Sequence, residues 1–133
     1  MPNRIPSEPP ALADSGPVAL DEAVLQRLQQ ELSAEMMPSV IVAFLAEIDE
    51  RVSALVAASR IGDWRAASRH AHTIKGTAAT LGANALAEIA GRIEAAGQTG
   101  DGTAVDGNIR PLQQQTRHLT ERLGHRYSQT ATF

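Results

Sequence analysis

Six apolar residues in the middle of the chain do most to restrict its fold. Trp64, Ala67, Ala71, Ile74, Ala78 and Leu81 follow one another at alternating steps of three and four. At about 100° per residue they fall on one stripe, so the segment is predicted to be a helix with one buried face; a half-buried strand would need steps of two. No segment shows a convincing period of two. The 133 residues are 43% hydrophobic but only 3% aromatic, and 23 of them are alanine. That composition predicts one domain of closely packed helices.

The rest of the chain extends this reading. Asp21 is a good N-cap for a first short helix carrying Leu25, Leu28 and Leu32. A longer second helix is predicted from about Ser33 or Ser39 to Ser59, with Pro38 in its first turn and Ile41, Phe44, Leu45, Ile48, Val52 and Leu55 inward. Gly62-Asp63 reads as a stop followed by a cap, the third helix as Trp64 to Gly82, and the fourth as Asn84 to Ala96. Residues 97–102 read as a loop. A fifth helix carries Ile109, Leu112, Leu119 and Leu123, its seam interrupted by Thr116; Pro111 places its regular start close by, with Asn108 as a candidate cap. The expected fold is all-α: an antiparallel up-down four-helix bundle at 19–124 with a short additional N-terminal helix. Five of seven prolines fall within the first 17 residues. Residues 1–18 are therefore expected to be a flexible tail or linker, like that of a domain cut from a longer chain, and 125–133 a frayed C-terminal tail.

Composition also narrows function. There is no cysteine, so disulfides, thiolate metal sites and cysteine nucleophiles are excluded. A net charge of −3 gives no general attraction to nucleic acid or anionic lipid. No stretch is long and apolar enough to span a membrane, and the N-terminus lacks the apolar core of a secretory signal, so a cytoplasmic protein is expected. No glycine-rich nucleotide loop and no nucleophile elbow is present.

One exposed position carries chemistry. On the third helix His72 points about 130° away from the seam, outward. At helical spacing it is flanked by Arg69, Lys75, Gly76 and Ala79, two cations and two very small side chains. A neutral imidazole is a competent nucleophile near neutral pH, and nearby positive charge favours the unprotonated ring. Once phosphorylated the ring bears close to two negative charges, for which the same cations are partners. Gly76 weakens a helix by about 1 kcal/mol relative to alanine, which makes sense where the surface must stay flat for a docking partner. Lys75 is the only lysine against eleven arginines, a compact and flexible charge suited to a moving phosphoryl group. Other groups point to less. His70 and His72 stand about 200° apart and cannot share a metal ion; no metal site is expected. His118 reads as a seam-edge residue, Glu47, Asp49 and Glu50 as a solvated face, and Glu94 as a surface ion pair or partner contact.

The run His72-Thr73-Ile74-Lys75-Gly76, with Gly82 six residues further on, resembles the signature of histidine-containing phosphotransfer (HPt) domains: a histidine, any residue, an aliphatic, lysine, glycine, and a second glycine. Gly62-Asp63-Trp64, Ala71, Leu86 and Ile93-Glu94 agree as flanks, and the resemblance spans about 20–124. It implies that His72 is the phosphoacceptor through Nε2, that Lys75 stabilises the phosphoryl group, that Gly76 leaves space beside the imidazole, and that Gly82 ends the helix. It further implies a phosphorelay intermediate, accepting from an aspartate of one receiver domain and passing to an aspartate of another. The partners are then receivers of a hybrid sensor kinase and of a response regulator. Such a carrier has no kinase activity of its own and no cofactor, Mg²⁺ residing in the receiver. Arg65, Arg69 and Ala79 are expected on the docking face with exposed residues of the second helix, and a monomer is expected. The alternative is a non-catalytic bundle that docks on or regulates a partner enzyme independently of phosphorylation.

Overall fold

In the computed structural model, residues 20–131 are described, with side chains through Tyr127. The tail expected at 1–18 lies outside the described residues. Five helices follow one another: α1 (Glu22–Glu31), α2 (Met37–Arg60), α3 (Trp64–Thr80), α4 (Asn84–Gln98) and α5 (Gly102–Ala131). No strand occurs among the described residues. α3 packs on α2 and α4, and α5 closes the ring by packing on the same two helices. The result is the antiparallel four-helix bundle expected from the periodicity, with α1 added at one end.

Short turns enforce the up-down course. Gly62, Gly82 and Gly100 have φ of 73°, 75° and 75°, the left-handed conformation that favours glycine. Each closes the same pair of bonds onto the helix before it. Gly82 N–H donates to Ala79 O at 3.1 Å and Ala83 N–H to Ala78 O at 2.9 Å, with equivalent pairs at Gly62-Asp63 and Gly100-Asp101. This double closure satisfies carbonyls that a helix end leaves open. Asp63 then caps α3 by accepting from Ala66 N–H, and Asp101 caps α5 by accepting from Ala104 N–H, both at 3.1 Å. The chain therefore reverses within three residues at each of these ends.

The α3 seam is the centre of the core. Ala67, Ala71, Ile74, Ala78 and Leu81 are all fully buried, against Ile48 and Leu55 of α2, Leu86 and Ile93 of α4, and Leu112 and Leu119 of α5. Alanines on the seam let the backbones approach closely. Gly97 is one such close point, where an added Cβ would stand 2.6 Å from the Trp64 carbonyl oxygen and 2.9 Å from Ser68 Cβ. At Gly102 an added Cβ would stand closer still, against the Trp64 ring.

Three expectations change at the C-terminal side. Gly97 and Gly102 belong to helices, so the loop shrinks to 99–101. α5 starts at Gly102, well before Pro111, because Asp101 provides the cap; Asn108 instead donates to Ala104 O at 2.8 Å within the helix. Pro111 therefore sits inside α5, where its ring crowds the carbonyl four residues back, that of the unbranched Gly107. Finally, α5 runs on to Ala131 through residues expected to fray. Tyr127 packs against the core, and Arg126 makes two bonds to the Glu22 carboxylate, at 2.9 and 3.3 Å.

Candidate functional site

α3 is amphipathic, so burying its alanine seam turns the opposite face to solvent. Arg65, Arg69, His72, Gly76 and Ala79 lie toward that face. The His72 side chain is 69% exposed, which agrees with the wheel. An added Cβ at Gly76 would meet nothing within 4 Å. Packing inside the bundle therefore does not require a glycine there, and its flatness is available to something outside.

The charge nearest the imidazole is not a cation. Glu94, on the adjacent α4, places Oε2 2.8 Å from His72 Nδ1 and Oε1 2.6 Å from Lys75 Nζ. Three side chains thus form one network, with the carboxylate in the middle and only 15% exposed. The Lys75 ammonium holds the Glu94 carboxyl below the usual carboxylate range; burial opposes this, and His72 adds to it. A carboxylate can only accept, so in the neutral ring Nδ1 carries the proton and donates it to Glu94. Nε2 then bears the lone pair, and it has no hydrogen-bond partner among the described residues. One nitrogen is held and the other is presented.

The position of Glu94 follows from the packing below it. Ser68 of α3 donates through Oγ to the Glu94 carbonyl oxygen at 2.9 Å, and Gly97 one turn on allows the close approach of α3 and α4. Gly91, one turn before, lies beneath the Lys75 stem, its absent Cβ 3.5 Å from Lys75 Cδ. Glycines at 91 and 97 with Glu94 between them, three residues apart, are the sequence signal for this arrangement. The sequence reading assigned Glu94 to an ion pair or a partner contact; the structure finds the ion pair and adds the bond to His72. The sequence reading takes Gly97 as part of a loop and assigns nothing to Gly91.

His70 meets a different environment. It is half-buried between α2 and α3, and its Nδ1 accepts from the Arg51 guanidinium at 3.4 Å. Burial lowers its pKa, and the charges of Arg51 and Arg69 lower it further. His70 and His72 project in different directions, and no group of three potential metal ligands occurs among the described residues. On the neighbouring edge of α2, Glu47 accepts from Thr77 Oγ1 at 2.9 Å. Arg65 and Arg69 make no ion pair with any described residue. Gly82 ends α3 as expected, and it also anchors α1: Asp21 N–H donates to its carbonyl at 2.9 Å, and an added Cβ would stand 2.7 Å from Asp21 O.

Comparison with known proteins finds a matching family model and a similar solved fold. The family model described as the Hpt domain matches residues 39–126. The crystal structure of histidine-containing phosphotransfer protein B (HptB) from Pseudomonas aeruginosa PAO1 is similar, with a TM-score of 0.78 and 25% identity. The match covers 83% of this chain and 95% of that one. No curated protein sequence matches.

Proposed function

Since the chain belongs to the Hpt domain family, whose members carry phosphoryl groups in two-component signalling by interacting with receiver domains, we propose that it is a phosphorelay intermediate working through His72. It takes a phosphoryl group from a receiver aspartate of a hybrid sensor kinase onto Nε2. It then passes the group to a receiver aspartate of a response regulator. The observation that carries this reading is the held Nδ1 and open Nε2 of His72, on an exposed and flat strip of α3.

Each residue then has a task. Glu94 fixes the tautomer, Lys75 supplies positive charge to the phosphoryl group, and Gly76 and Ala79 keep the approach clear. Arg65 and Arg69 present unpaired charge to the partner. The bundle acts as a rigid mount, so orientation rather than movement prepares the nucleophile. The chemistry at phosphorus depends on the receiver, which brings Mg²⁺ and the acyl phosphate; the carrier needs no cofactor and does not phosphorylate itself. Its seams are used up within one bundle, which favours a monomer and a small transient interface. No helix among the described residues is long and apolar enough to cross a membrane, and a relay between receivers places the carrier in the cytoplasm.

The test is ³¹P NMR with intact mass after incubation with phosphoramidate and Mg²⁺. Wild type should gain one acid-labile phosphoryl group, and His72→Gln none, with helicity and melting unchanged. A labelled His72→Gln protein would remove the assignment. A folded wild type that takes no label would leave a docking bundle whose action is independent of phosphorylation.

A further inference from the structure

Lys75, expected to serve the phosphoryl group, is bound elsewhere: its ammonium lies 2.6 Å from Glu94 Oε1, while the other oxygen of that carboxylate holds His72 Nδ1. We propose that Glu94 is a counter-ion shared in turn, held by Lys75 while His72 is free and by the imidazole ring once Nε2 is phosphorylated, when Lys75 moves to the phosphoryl oxygens. Glu94 is on this account a positioning residue. The inference rests on the phosphoacceptor reading of His72.

Charge conservation during the transfer leads to the exchange. The Nε2 lone pair forms the new N–P bond, and the bond from phosphorus to the donor breaks with its electron pair going to the leaving group. With phosphoramidate, whose nitrogen is already protonated, that group departs as ammonia. The proton on Nδ1 stays where it is. The ring therefore passes from neutral to cationic, and the phosphoryl group brings close to two negative charges. Before transfer the His72–Glu94–Lys75 network holds one cation, Lys75, and one anion, Glu94. Afterwards it holds two cations and two anionic groups. The ring cation already has Glu94 at 2.8 Å through Nδ1. If Lys75 stayed on the same carboxylate, the network would offer the phosphoryl group an anion and no cation, leaving only Arg69 outside it to face the new charge. Moving Lys75 to the phosphoryl oxygens gives every charge an opposite neighbour, in charge-assisted hydrogen bonds.

The side chains permit the move. Lys75 is 43% exposed and carries three donors on a flexible stem, and Gly91 beneath it presents no Cβ to block the stem. Glu94 is fixed by comparison, mostly buried with its backbone carbonyl bonded to Ser68. When the phosphoryl group leaves for a receiver, the ring departs as neutral imidazole with Nδ1–H retained, and Lys75 returns to Glu94. No proton need be exchanged with solvent in either direction.

Because Lys75 is the only lysine, ¹⁵N labelling gives one side-chain ammonium signal. That signal and the His72 ring nitrogens would be recorded before and after phosphoramidate treatment, in wild type and in Glu94→Gln. In wild type, Nδ1 should remain protonated throughout, and the Lys75 signal should shift on phosphorylation. In unphosphorylated Glu94→Gln, the Lys75 signal should already lie away from its wild-type position, toward that of a free lysine, and labelling should be several-fold slower. A labelled wild type with an unmoved Lys75 signal overturns the exchange and leaves the phosphoacceptor reading standing. A wild type that takes no label overturns both.

Discussion

His70 and His72 are two residues apart on one helix, yet neighbouring helices give them opposite surroundings. The consequence for pH can be worked out by sign. The pKa of His70 is lowered in the folded state by burial, then by Arg51 and Arg69, with Asp63 opposing weakly. The unfolded chain therefore takes up that proton more readily. The stability tied to neutral His70 is complete above the ordinary value of 6.5 and is lost as pH falls through the lowered folded value. Melting temperatures of wild type should begin to decline as pH drops below about 6.5, and a His70→Gln protein should decline less over the same range; parallel curves would remove this role. The Glu94 carboxyl is lowered as well, by Lys75 first, so its contribution persists above 4.5 and is lost only at lower pH. The two windows do not overlap at their upper ends. Gly76 gives a separate test. With no atom near the position of its missing Cβ, Gly76→Ala should stabilise the fold by up to about 1 kcal/mol. If the glycine serves docking, the same protein should still label with phosphoramidate but accept more slowly from a phosphorylated receiver.

Among the elements, α3 and α4 together make the site, and their separation sets its geometry. Gly97 has no room for a side chain, since a Cβ would press on the Trp64 carbonyl and on Ser68. Gly97→Ala should therefore destabilise the protein by about 1–3 kcal/mol through forced separation of the helices, measured by urea unfolding. It should also lengthen the reach from Glu94 to His72, visible as a less uniform ring tautomer by ¹⁵N NMR. An alanine tolerated without change in either measurement would show that the approach is looser than drawn. The three glycine turns act at the same scale: they fix where each helix stops, and hence which residues of α2, α3, α4 and α5 stand level with one another.

At the scale of the whole molecule, α1 and the end of α5 close one end of the bundle. Leu25 of α1 is buried in the core, and two polar contacts add to that packing, the Asp21 bond to Gly82 and the ion pair of Glu22 with Arg126. Both members of the ion pair are at least 42% exposed, and such pairs contribute less than about 1 kcal/mol. Arg126→Ala should accordingly lower stability by no more than that, with a dependence on salt, and leave phosphoramidate labelling unchanged. Loss of labelling in that variant would mean that α1 reaches the site through the fold, since His72 lies on the exposed face of α3 and Arg126 is tied to α1.

The helical class, the helix starts at Asp21 and Asp63, the seam of α3 and the exposure of His72 beside Gly76 were all legible along the chain. Each depends on spacing along one helix or on a local backbone preference, and both are written in neighbouring residues. The rest lies between helices. Glu94 is 22 positions from His72 along the chain, and its two bonds depend on how closely α4 approaches α3 at Gly97. Nothing periodic announces that distance. Likewise the continuation of α5 past residue 125 depends on Tyr127 and Arg126 finding the core and α1, a reward that a polar, aperiodic stretch does not display until the bundle has formed.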